Sequence, residues 1–105
     1  MKINQLDKQG MPQGPWESYF SNGQLSWKRK FSNGKFNGPW EFYFSNGHLW
    51  QKGEYKNGNP HGPLEFYSPN GQLLRKGECK KGRACGLWKN YAPSGKLESI
   101  EFYIN

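Results

Sequence analysis

The chain has 105 residues, of which 33% are hydrophobic and 17% aromatic, and its net charge is +7. A chain of this length holds one domain that buries only about two-thirds of its unfolded surface. No apolar run is long enough to cross a bilayer as a helix, and two cysteines without C-x-x-C spacing exclude a disulfide framework or a cysteine-rich metal site. A mean hydropathy of −1.05 taken alone would signal disorder. The aromatics reverse that reading, because they carry much apolar area on few residues.

Met1-Lys2-Ile3-Asn4-Gln5 leads straight into polar sequence without the apolar segment of a secretory leader. The expectation is a cytoplasmic protein with Cys79 and Cys85 as reduced thiols. From Gly14 the chain repeats. Gly14, Gly38, Gly62 and Gly86 open units of 24 residues: 14–37, 38–61, 62–85 and a truncated 86–105. Lys8 to Gln13 matches the tail of a unit, so residues 1–13 read as a half-repeat of the same single domain, 1–105.

Each unit reads as a β-hairpin. In the second, Trp40 to Phe44 and Leu49 to Tyr55 have strand composition. Asn46-Gly47 between them predicts a two-residue type I′ turn, with Gly23, Gly71 and Gly95 in the same place. The segment from Lys56 to Gly62 predicts a wider loop to the next hairpin. No stretch has helical apolar spacing. The fold class is all-β, an elongated antiparallel meander of stacked hairpins in one twisted sheet.

A two-residue turn fixes the register. Ser45 then faces His48, Phe44 meets Leu49, Tyr43 meets Trp50, Phe42 meets Gln51, Glu41 meets Lys52 and Trp40 meets Gly53. The same arithmetic sets Glu17 against Lys28, Glu65 against Lys76, Phe20 against Leu25 and Leu64 against Gly77. Opposite charges align three times, which supports the register. One face carries Trp16, Phe20, Trp40, Phe42, Phe44, Phe66, Trp88 and the hairpin leucines. The other carries the Glu–Lys pairs and a row of Tyr19, Tyr43, Tyr67 and Tyr91. The aromatic face calls for cover, from coiling of the sheet or from a partner.

The pattern formed by Gly38, Trp40, Tyr43, Asn46, Gly47, Leu49, Gly53, Tyr55, Asn57, Gly58 and Gly62 resembles the variant MORN repeat, known from bacterial proteins described as antitoxin-like. The units depart from it at Arg29 and Glu101 (for the strand glycine), Cys79 (for the aromatic) and Leu64 (for the tryptophan). The resemblance implies an elongated hairpin meander that serves as an interaction scaffold. It further implies an antitoxin-like or inhibitory role toward a partner protein, and in some relatives binding of anionic lipid.

Catalysis finds little material. His48 and His61 lie in turns without metal-ligand neighbours, and the repeating glutamates face lysines rather than each other. No phosphate-loop motif is present, and nothing in the pattern calls for a cofactor. Two binding readings remain. A non-catalytic protein-interaction module would use Tyr19, Tyr43, Tyr67, Tyr91 and Trp50, with an acidic protein or a second copy of the chain as partner. An anion binder, for nucleic acid or acidic phospholipid, would use Lys28, Arg29, Lys30, Lys80, Lys81, Arg83 and Lys89.

Overall fold

The computed structural model describes residues 3–104. Met1 and Lys2, the first positions of the expected half-repeat, and Asn105, the last of the truncated unit, lie outside the described residues. Eleven strands form one open antiparallel sheet, with no helix among the described residues. They are β1 (Gln5–Leu6), β2 (Pro12–Tyr19), β3 (Leu25–Ser32), β4 (Lys35–Phe36), β5 (Gly38–Tyr43), β6 (Leu49–Lys56), β7 (Asn59–Pro60), β8 (Gly62–Tyr67), β9 (Leu73–Lys80), β10 (Arg83–Tyr91) and β11 (Leu97–Tyr103). Neighbours in sequence are neighbours in the sheet, with the short β4 and β7 pairing back onto β3 and β6. The expected hairpin meander is therefore what forms. It measures 49 × 37 × 17 Å, a single layer, and its 15.6 Å radius of gyration exceeds the roughly 13 Å of a globular domain this long.

The two kinds of turn are exchanged relative to the expectation. At the hairpin tip the Phe44 N–H donates to the His48 carbonyl (2.8 Å) and the Gly47 N–H to the Phe44 carbonyl (3.0 Å). Only Gly47, at φ +92°, is left-handed there. This is a three-residue loop, a type I turn closed by a glycine. Asn46 stays right-handed because its side chain has other work. Its Oδ1 accepts the His48 N–H (2.9 Å), and its Nδ2 donates to the Pro69 carbonyl of the next hairpin (2.8 Å). The type I′ turns sit instead between hairpins, at Asn33-Gly34, Asn57-Gly58 and Lys81-Gly82, where both residues have positive φ. Lys56 pairs directly with Asn59 across one of them, so the expected wider loop is a tight turn.

An odd-numbered loop would move every side chain to the opposite face. A bulge at Trp50 restores the register: Tyr43 pairs with Leu49, but Phe42 pairs with Gln51. From there outward the expected pairs hold, including Trp40–Gly53, Glu41–Lys52, Glu17–Lys28, Leu64–Gly77 and Glu65–Lys76. Near the tip they do not. Leu25, Leu49 and Leu73 stand opposite Tyr19, Tyr43 and Tyr67, so the expected partners Phe20–Leu25, Phe44–Leu49, Tyr43–Trp50 and Ser45–His48 are not formed. The leucines thereby share the tyrosines' face, not the aromatic one.

The aromatic face covers itself. Trp40 is 5% exposed, Trp88 2% and Cys79 8%, and the other rings on this face are half-buried except that of Trp50, which is exposed. Rings meet edge-to-face or tilted along the sheet, as in Trp16–Phe31 (5.7 Å), Phe31–Phe36 (4.4 Å), Trp40–Tyr55 (5.5 Å) and Trp40–Phe42 (5.3 Å). Such pairs contribute about 0.5–1.5 kcal/mol each beyond area burial. Gly53 and Gly77 make the room. A Cβ on Gly53 would lie 2.7 Å from the Trp40 ring, and one on Gly77 2.1 Å from the Trp88 ring.

Candidate interaction surface

Strand alternation gives the opposite face a charged ladder perpendicular to the strands. It runs Glu17, Lys28, Glu41, Lys52, Glu65, Lys76, each directly opposite the next on the neighbouring strand. The close ion pairs form between hairpins and not within them: Lys28 Nζ to Glu41 Oε1 is 3.1 Å, and Lys52 Nζ to Glu65 Oε1 is 3.4 Å. Both lysines are about half exposed, so each pair contributes at most about 1 kcal/mol. Their main effect is to set the charge pattern of the face.

The tyrosine row lies beside this ladder. Tyr19, Tyr43 and Tyr67 each donate their hydroxyl to the glutamate two residues earlier, at 2.5, 2.6 and 2.7 Å. Partial burial, and then the bond to Glu41, pushes the Tyr43 phenol up to about 12; burial and Glu65 do the same for Tyr67. Burial also works to raise the Glu41 carboxyl, but the Tyr43 hydroxyl and Lys28 together hold it below its ordinary value. Tyr91 has Lys89, not a glutamate, two residues before it, so that bond has no acceptor there.

A groove of about 530 Å³ crosses the first three hairpins on this face. Its walls are Pro15, Pro39 and Pro63 with Glu17, Lys28, Lys30, Glu41, Lys52, Glu54 and Glu65. Sequence reasoning missed the prolines as surface-forming residues, although their recurrence after the first three opening glycines was the available signal.

The remaining candidates scatter. Trp50 is 42% exposed, but its ring stands by Phe42 (6.3 Å) and Phe44 (5.8 Å), apart from the tyrosines, because it is the bulged residue. Lys28-Arg29-Lys30 is no cluster. All three border the groove, but the Arg29 guanidinium lies on the aromatic face, 4.1 Å from the Trp27 ring centre and 4.2 Å from that of Phe36. Lys80, Lys81 and Arg83 do converge, at the β9–β10 turn. Lys89 is six residues further along β10, roughly 20 Å away at strand rise. Cys79 is buried and its thiol is pushed up, first by burial and then by Cys85 and Glu78. Among the described residues, no three of His, Cys, Asp and Glu are grouped to hold a metal ion.

The fold and this face define a hairpin-repeat binding module. The MORN repeat variant model matches residues 12–33, 36–57, 60–80 and 84–105, most of the chain, and the protein belongs to that family. Repeats of this family are non-catalytic and generally serve as binding modules toward proteins or membranes. No curated protein matches the chain. No helix in the described residues is long and apolar enough to cross a membrane.

Proposed function

We propose that the protein is a non-catalytic protein-interaction module that docks a partner along the charged face. The groove across three hairpins carries this reading. It offers proline platforms and ordered ion pairs at fixed spacing, a surface suited to an extended or loop segment of another protein. The distribution of cations favours a protein over a phosphate backbone. Lys28 and Lys52 are engaged by glutamates, Arg29 faces away, and the cluster at the β9–β10 turn is one tip and not a strip. Those tip residues would speed association with an acidic partner more than they tighten it. The match to the family's repeats carries no antitoxin assignment, so the reading stays at partner binding.

The test is a pull-down from source cells with and without nuclease, repeated with a Pro39→Arg protein. Pro39 is exposed, so the fold tolerates the change while the arginine fills the groove. The partner should survive nuclease and be lost, by roughly tenfold or more in affinity, from the variant. Loss of the partner on nuclease treatment alone would make the protein a nucleic-acid binder.

A further inference from the structure

The fourth unit departs from the other three at a connected set of positions on the charged face. Where the first three units have proline (Pro15, Pro39, Pro63) it has Leu87; where they have glutamate (Glu17, Glu41, Glu65) it has Lys89. Where they have lysine (Lys28, Lys52, Lys76) it has Ile100, and where they have Lys30, Glu54 and Glu78 it has Phe102. The register keeps these four together, Leu87 opposite Phe102 and Lys89 opposite Ile100. Leu87 is 47% exposed, Ile100 52% and Phe102 73%. Leu97, opposite Tyr91, adds a fourth exposed apolar side chain on this face.

The same substitution breaks the charge ladder. Lys76 is directly opposite Lys89, where alternation calls for a carboxylate, and like charges in that relation are destabilising. Among the described residues neither lysine forms an ion pair, and Glu65, on the other side of Lys76, is held by Lys52 and the Tyr67 hydroxyl. A recess of about 230 Å³ opens there, lined by Lys76 and Lys89 together with Leu87, Glu65 and Glu78.

We propose, building on the interaction-module reading, that this end of the charged face binds an acidic segment of a partner protein in which a carboxylate is flanked by apolar residues. The carboxylate bridges Lys76 and Lys89 and supplies the negative charge that the other units place where Lys89 stands, while the apolar neighbours cover Leu87, Ile100 and Phe102. Charge complementarity decides the occupant. A second copy laid face to face would bring its own lysine pair onto this one. A phosphate backbone would leave the apolar patch wet.

A short fluorescent peptide alternating glutamate with leucine is the probe. It should bind, its counterpart with lysine for glutamate should not, and an RNA oligonucleotide and anionic vesicles should not compete. Lys89→Glu restores the ladder, so it should raise the melting temperature and weaken the peptide at least about tenfold. Phe102→Ser should weaken binding without lowering the melting temperature, because that side chain is exposed. Failure of the peptide to bind, equal binding to Lys89→Glu, or displacement by RNA or vesicles overturns the proposal. If the partner from the pull-down binds Lys89→Glu/Phe102→Ser unchanged but is lost from Pro39→Arg, this site is wrong while the interaction-module reading stands. If nuclease abolishes the pull-down, that reading itself fails.

Discussion

At the scale of single residues, two glycines carry an unusual share of the structure. Gly77 has an ordinary strand conformation, so alanine there meets no backbone strain, only the Trp88 ring 2.1 Å from its Cβ. Gly86 is the opposite case, with φ +65° and nothing within 4 Å of the added carbon. Gly77→Ala should cost about 3 kcal/mol, the upper end of overpacking. Gly86→Ala should cost roughly 1 kcal/mol, from the left-handed backbone alone. Urea denaturation of both, repeated in a Trp88→Leu background, separates the causes. The Gly77→Ala penalty should mostly vanish without the indole, and the Gly86→Ala penalty should persist. A Gly77→Ala loss that survives removal of Trp88 would mean the clash is not its origin.

At the scale of elements, the tyrosine–glutamate bonds give the hairpins a pH dependence of definite sign. The Tyr43 and Tyr67 phenols are held at about 12, above the ordinary tyrosine value of 10.0. A group with a raised folded pKa contributes stability that is complete below the unfolded value and lost as pH climbs through the folded one. The melting temperature should therefore fall between about pH 10 and 12, and Tyr43→Phe/Tyr67→Phe should flatten that limb. Tyrosinate absorbance gives an independent check, since Tyr43 and Tyr67 should ionise near pH 12. The same hairpins show what the sequence could and could not disclose. The period, the strands and the outer pairs such as Glu41–Lys52 were legible, because a two-residue side-chain period and a strict repeat leave few alternatives. The turn types were not. Asn-Gly occurs in both turns of a unit, and only the hydrogen bonds of Asn46 to His48 and to Pro69 decide that one is type I. The bulge at Trp50 then cancels the extra loop residue, so a wrong turn and the right outer register coincided. Arg29 leaves the expected basic stretch for a simpler reason: strand alternation sends adjacent residues to opposite faces, and its guanidinium lies over the Trp27 ring.

At the scale of the whole molecule, a one-layer sheet built of repeats has stability that is local and graded. Each hairpin meets only its neighbours, so terms for single units and their interfaces add along the array. Those terms are uneven. Among the described residues the three buried side chains, Trp40, Cys79 and Trp88, belong to β5, β9 and β10, and the ring-over-glycine contacts at Gly53 and Gly77 link β5 to β6 and β10 to β9. At the flanks, β1 has two exposed residues, and β11 exposes Leu97, Ile100 and Phe102 and pairs with β10, whose Lys89 faces the like-charged Lys76. Amide hydrogen exchange should therefore be slowest at Trp40 to Phe42 and at Gly77 to Cys79, and fastest in β1 and β11, with a spread of at least about a hundredfold in protection. Lys89→Glu removes the repulsive step between β9 and β10, and it should raise protection in β10 and β11 while leaving β2 and β3 unchanged. Uniform protection across the sheet, or a gain from Lys89→Glu that spreads to β2, would show that the hairpins open as one cooperative unit and that the graded picture is wrong.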